Sequence, residues 1–279
     1  NLPKDDKVMA YINTKDLKDE EYINSHYIVM CTKKGVIKKT SLEQYSRPRT
    51  NGINAITIRE GDQLLEAKMT TGNSQIMMAV KSGKSIRFEE EKVRSMGRTA
   101  AGVRGIRLPS EDDEVVGMIC INDMESSVLV VSENGYGKRS AVEDYRITNR
   151  GGKGVKTINV TEKTGGLIAL KNVTDADDLM VINKSGITIR IGVDSLRVMG
   201  RATQGVKIIR LRDEDSIASV ASVSKWEEEE ELLLDEEGNV IKNEVVDAID
   251  NEDTLTNKTS PEENEDNNTN KNNEENEEN

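Results

Sequence analysis

Four short apolar runs, Tyr27 to Thr32, Gln75 to Val80, Ser127 to Ser132 and Asp178 to Asn183, each give way to a turn containing glycine: Gly35, Gly83, Gly135 and Gly186. These glycines lie 48, 52 and 51 residues apart. Farther along, a second glycine opens another stretch with apolar residues at its first and fourth following positions. The stretches are Gly52-Ile53-Asn54-Ala55-Ile56, Gly102-Val103-Arg104-Gly105-Ile106, Gly154-Val155-Lys156-Thr157-Ile158 and Gly205-Val206-Lys207-Ile208-Ile209, at intervals of 50, 52 and 51. Two independent markers that keep one period define an internal repeat. β-branched residues and period-two stretches such as Ile187-Thr188-Ile189-Arg190-Ile191 predict strands rather than helices.

Each unit therefore reads as four strands: an apolar run, a basic run after the first glycine, the strand after the second glycine, and a closing run such as Val115 to Ile121 or Ile217 to Val223. Four strands in about fifty residues is the pattern of one blade in a radial β-architecture, where neighbouring blades bury each other's faces. The expected fold is an all-β wheel over residues 1–225, with blades at about 26–71, 74–122, 126–173 and 177–224. Leu2 to Met9 resembles Leu108 to Met118 at the close of unit two, which predicts that 7–14 is an orphan strand ending a blade that begins upstream of this chain.

Charge divides the chain in the same place. The net charge of −12 hides a segment from Glu227 onward with 21 acidic and 3 basic residues, and a body carrying 36 basic and 30 acidic residues, or +6. The overall sign thus does not exclude nucleic acid. Residues 226–279 are rich in Glu, Asp and Asn and are expected to be mostly disordered, with apolar islands at Leu232 to Leu234 and Val240 to Ile249. Cys31 and Cys120 lie far apart in apolar runs without CxxC or Cys/His spacing, which argues against a zinc site or disulfide framework and fits the cytoplasm. No apolar stretch reaches the roughly 18 residues of a membrane span.

The basic residues keep the period. Lys39, Arg87, Arg139 and Arg190 each stand four positions after the first glycine, with Lys38 and Lys138 beside two of them. The connection that follows supplies Arg47 and Arg49, Arg94 and Arg98, Arg146 and Arg150, Arg197 and Arg201. Beyond the second glycine come Arg104, Lys156 and Lys207, with Asn54 in unit one. Singly, each reads as a solvent-facing strand position. In phase across radial blades they fall on one edge and form a basic belt. Such a belt suits the phosphates of duplex DNA, and many contacts along a curved track offset the cost of bending it. Aromatic residues, at 3%, are too few for the stacking platforms of a single-strand binder.

The run Thr148-Asn149-Arg150-Gly151-Gly152-Lys153-Gly154 would let backbone amides and Lys153 approach an anion. It is not a P-loop, because Gly154 stands where Ser or Thr is required. Tyr45 and Tyr145 have no activating base or metal cluster in view and read as packing residues, so the chain shows no catalytic constellation.

The repeat, the Arg-x-Met-Gly-Arg segments at Arg94 to Arg98 and Arg197 to Arg201, the run Gly102 to Leu108, Asn134-Gly135-Tyr136-Gly137-Lys138-Arg139 and the acidic tail together resemble the family of C-terminal domains of the DNA gyrase A subunit. The resemblance implies a six-bladed pinwheel that wraps DNA on its basic rim, here with about two blades absent. It also implies a parent type IIA topoisomerase, an A2B2 assembly with the gyrase B subunit, that uses ATP and magnesium to introduce negative supercoils. The cofactor sites and cleavage tyrosine of that enzyme belong to parts outside this chain, so no cofactor is expected here, and the location implied is the chromosome. One place departs from the pattern: the family's Gln-Arg-Arg-Gly-Gly-Lys-Gly box belongs to a first blade, whereas Thr148 to Gly154 lies in the third unit and carries Thr and Asn for Gln and the first Arg. The equivalent domain of topoisomerase IV and a propeller-like protein-interaction module remain as alternatives.

Overall fold

The computed structural model describes residues 6–212 and 215–225; the tail expected from residue 226 onward and its apolar islands lie outside them. Unit one contributes strands β1 (Tyr27–Thr32), β2 (Val36–Ser41) and β3 (Leu64–Thr70). Unit two contributes β4 (Gln75–Val80), β5 (Lys84–Glu89), β6 (Val103–Arg104) and β7 (Val115–Ile121). Unit three adds β8 (Ser127–Ser132), β9 (Tyr136–Ala141), β10 (Val155–Lys156) and β11 (Leu167–Val173), and unit four β12 (Asp177–Asn183), β13 (Thr188–Gly192), β14 (Val206–Lys207) and β15 (Ile217–Ser224). A short 3-10 turn follows the second strand of every unit, at Leu42–Tyr45, Glu90–Lys92, Val142–Asp144 and Val193–Ser195.

The sheets are antiparallel, in the orders β3-β1-β2-β6, β10-β5-β4-β7, β11-β8-β9-β14 and, with three strands, β13-β12-β15. The strand after the second glycine therefore does not stay in its own blade, as the sequence pattern had it. It crosses to the edge of the preceding sheet, pairing Val103 with Ile37, Val155 with Ser85 and Val206 with Gly137. The two marker glycines explain the crossing. At Gly35 φ is 81° and an added Cβ would stand 2.8 Å from the Ile106 carbonyl oxygen, while at Gly102 φ is 92° and a Cβ would stand 2.6 Å from the Ile37 carbonyl oxygen. Both are left-handed conformations that glycine alone adopts cheaply, and both are points of close backbone approach. Gly52 and Gly186, at the two unexchanged positions, have nothing within 4 Å. Correspondingly, Gly52 to Ile56 forms no strand.

Residues 7–14 also differ from expectation, since they form no strand. A strand needs a partner edge for its backbone groups, and here Ile12 and Leu17 pack with Ile28 and Met30 on the outer face of the first sheet while Tyr11 is 89% exposed. The short helix α1 (Glu20–Ser25) caps the same face, its first turn held by Asp19 Oδ1, which accepts from the Glu21 and Tyr22 amides.

Alternate residues of each first strand face opposite neighbours. Val29 and Cys31 meet Ile76, Met78 and Val80; Met77 and Ala79 meet Val128 and Val130; Leu129 and Val131 meet Leu179 and Val181. Burial on both faces is why these runs are continuously apolar rather than alternating. The closing strands β3, β7, β11 and β15 pack successively on one another, so the sheets converge there. The exchanged strands β6, β10 and β14 form the opposite edges, the rim. Among the described residues no helix is long and apolar enough to cross a membrane.

Candidate nucleic-acid interface

The second strand of each of the first three sheets is covered by the following blade, and this corrects part of the expected belt. Lys38, Lys39, Arg87, Lys138 and Arg139 are all buried. Arg87 Nη1 donates to the carbonyl oxygens of Val142 and Tyr145 in the next blade, at 2.6 and 2.9 Å. Arg139 Nε donates to the Leu196 carbonyl and its Nη1 pairs with Asp175. Lys39 Nζ lies 3.5 Å from Glu90 Oε1 and 5.0 Å from the centre of the Tyr27 ring. Each cation thus meets the 3-10 turn of the blade in front, where a carbonyl with two lone pairs accepts from the side chain even when, as at Val142, it also accepts an amide of its own turn. They are ties between blades and leave the set of phosphate contacts. Arg190 occupies the same repeat position on the sheet with no following blade among the described residues; its side chain is 51% exposed, with Nε 2.6 Å from Asp178 Oδ2.

Lys38 and Lys138 are held by carbonyls alone: Lys38 Nζ donates to Ala55, at 2.6 Å, and to Arg98, and Lys138 Nζ donates to Gly200 at 2.6 Å. Burial lowers both ammonium groups from the ordinary 10.5 to about 8, with Arg98 adding to the effect on Lys38, and Asp144 opposing but Arg201 adding to it on Lys138. Below pH 8 both folded and unfolded chains carry these protons. Between about 8 and 10.5 the folded chain has shed protons that the unfolded chain retains, so stability rises with pH across that window. Each lysine should contribute a gain on the order of 1–3 kcal/mol between pH 8 and pH 10, against an opposing loss from the Cys31 and Cys120 thiols, which burial raises, so thermal unfolding at the two pH values is compared between parent and variant. The gain should shrink in Lys138→Met; an identical pH profile in that variant would exclude Lys138 as a source.

A second group of basic residues is half-buried and makes one interaction three times over. Arg98 Nη1 donates to the Asn54 carbonyl at 3.1 Å, Arg150 Nη1 to the Arg104 carbonyl at 3.1 Å, and Arg201 Nη1 to the Lys156 carbonyl at 2.8 Å. The link fixes the backbone of the second-glycine segment from the next unit's loop. The side chains of Arg104 and Lys156 above those carbonyls are exposed, as are Arg47, Arg49, Arg94, Arg146, Lys153, Arg197 and Lys207. Arg107 and Arg210, five positions after the second glycine, are exposed too. They were missed because units one and three carry Thr57 and Asn159 there, so the position shows no basic period.

The Thr148 to Gly154 loop is first of all a contact between blades. The Thr148 amide donates to the Arg87 carbonyl at 2.8 Å and the Gly151 amide to the Gly105 carbonyl at 2.6 Å, so these two backbone donors are already engaged. Gly154, with φ of 72°, leaves no room for a side chain against the Ser85 carbonyl. Arg146, Thr148, Asn149 and Lys153 border an open hollow of about 250 Å3 beside it. Tyr145 is buried with its hydroxyl 2.7 Å from Thr157 Oγ1, and Tyr45 donates to the Ala55 carbonyl at 3.2 Å, so both tyrosines pack and bond internally. Among the described residues no three His, Cys, Asp or Glu side chains are grouped to hold a metal.

Four repeated units, with a strand passed from each later unit to the one before and the closing strands gathered at a hub, define a propeller-like β-pinwheel. The family model described as DNA gyrase C-terminal domain, beta-propeller, matches residues 26–70, 74–122, 126–174 and 177–224, and the chain belongs to that family. The DNA gyrase A subunit of Staphylococcus epidermidis (strain ATCC 12228 / FDA PCI 1200) is 43% identical over 225 residues, covering 80% of this chain and 25% of the relative. The DNA gyrase A subunit of Staphylococcus aureus (strain NCTC 8325 / PS 47) is 38% identical over 275 residues, covering 90% and 30%. The chain thus spans less than a third of the length of these relatives. Among solved structures, a DNA gyrase A C-terminal domain superposes with a TM-score of 0.69 at 24% identity, covering 80% of this chain and 72% of that one. The C-terminal domain of DNA topoisomerase IV superposes with 0.68 at 23%, covering 72% and 62%. These two share the fold.

Proposed function

We propose that this domain binds duplex DNA along its rim and bends it around the wheel, as the wrapping part of a type IIA topoisomerase that supercoils DNA at the expense of ATP. The observation that carries this reading is the repeated arginine-to-carbonyl link beneath the exposed Arg104 and Lys156. It holds cations in register from blade to blade, which suits a regular phosphate backbone and requires no base readout. The partners are duplex DNA, the remainder of the gyrase A subunit, plus the gyrase B subunit in an A2B2 assembly, working in the cytoplasm on the chromosome. Strand cleavage, nucleotide binding and magnesium belong to those other parts, and the role here is a curved electrostatic track.

Wrapping is separated from plain binding by ligating nicked circular DNA around the protein and counting the supercoils trapped after its removal. Trapped supercoils should increase with protein, and log affinity should fall with log salt at about 0.9 per phosphate contact, giving a slope of roughly 5 or steeper. Relaxed circles, or a nearly flat salt response, would defeat the wrapping reading.

A further inference from the structure

The fifty-residue repeat contains a second period of two blades. In the second strand, the residue three positions after the first glycine alternates as Lys38, Ile86, Lys138 and Ile189. Seven positions farther on, at the end of the 3-10 turn, the residues alternate in phase: Tyr45, Val93, Tyr145 and Leu196. Odd blades pair a lysine with a tyrosine, and even blades pair two aliphatic residues.

The loop that each of these positions meets alternates as well. Lys38 and Lys138 reach into the Arg-x-Met-Gly-Arg loop of the following unit, where the carbonyls of Arg98 and Gly200 receive their ammonium groups. Ile86 meets the loop of unit three instead, where an added Cβ on Gly152 would stand 3.4 Å from Ile86 Cδ1. A Met-Gly-Arg turn thus leaves an inward carbonyl that an ammonium satisfies, whereas the Gly-Gly-Lys turn lays a bare glycine on an aliphatic side chain. Arg98 and Arg201, from those same lysine-held loops, then link to Asn54 and Lys156. At the first clamp the two elements close on each other: Lys38 donates to Ala55 and Arg98 donates to its neighbour Asn54.

We propose that Lys38 and Lys138 are positioning residues, whose buried ammonium groups set the pose in which the Met-Gly-Arg loops present Arg94, Arg98, Arg197 and Arg201 to DNA, so that every second blade grips the duplex through a lysine-held clamp. This rests on the DNA-binding reading of the rim. The clamp itself is testable without DNA.

The test uses the whole chain carrying Lys138→Ile, the residue that even blades tolerate at this position, with Lys38→Ile as an independent second variant and Lys138→Arg as the charge-retaining control. Amide hydrogen exchange at Met199 to Thr203 should be roughly 10-fold faster in Lys138→Ile while the strands stay protected. The melting temperature should change by only a few degrees, because relief of a desolvated charge offsets the carbonyl left without its donor. The slope of log affinity for a linear duplex against log salt should shrink by about 1–2, the share of the loop's two arginines, and Lys138→Arg should restore part of both. Unchanged exchange in both isoleucine variants overturns the proposal. Faster exchange with an unchanged salt slope overturns its connection to DNA. A parent chain with no affinity for duplex defeats the proposed function instead, and the exchange measurement still decides whether the clamp exists.

Discussion

Gly83→Ala is expected to destabilise the domain by about 3 kcal/mol or more, and Gly186→Ala by only about 1 kcal/mol. The two glycines hold the same repeat position and nearly the same backbone, with φ of 83° and 88°. Their surroundings differ. A Cβ on Gly83 would stand 2.7 Å from Val160 Cγ2 and 2.8 Å from the Ile158 carbonyl oxygen, both delivered by the segment that follows β10, whereas a Cβ on Gly186 meets nothing within 4 Å. Each substitution carries the left-handed backbone penalty, but only Gly83→Ala must push the exchanged strand off the sheet edge. Denaturant unfolding of the two variants beside the parent measures the difference. Equal losses would mean that strand exchange does not constrain these glycines.

The largest effect on binding should come from replacing Arg104, Lys156 and Lys207 together with serine. All three follow the second glycine at one repeat position and all are exposed. Their backbone belongs to the exchanged strands β6, β10 and β14 and stays paired whatever the side chain. The triple variant should therefore melt within a degree or two of the parent. Its affinity for duplex at low salt should fall roughly 100-fold, and its salt slope should drop by about 2.7, or 0.9 for each contact removed. A slope that changes by less than about 1 would show that this position does not face phosphate.

Much of the domain was legible because its signals are local. Glycine at a left-handed turn, a short β-branched run and a basic strand each announce themselves over a few residues, and their recurrence marks the four repeated units. Tyr45 and Tyr145 were readable as packing residues for the same reason, since each stands at one repeat position, ten residues after the first glycine.

What lay beyond that reading always involved a second unit. Residues 7–14 resemble a closing strand in sequence, yet a strand exists only where another edge accepts its hydrogen bonds. Lys39, Arg87, Arg139 and Arg190 are equivalent by every local criterion, and three are buried while the fourth is exposed, because a following blade covers the first three. The amino-acid sequence by itself determined the period, the β character of the repeat and the supply of basic residues in phase. The tertiary structure decided which sheet receives each exchanged strand and which cations face solvent, because both depend on contacts between units about fifty residues apart, and local patterning carries no information about which face a neighbour will cover.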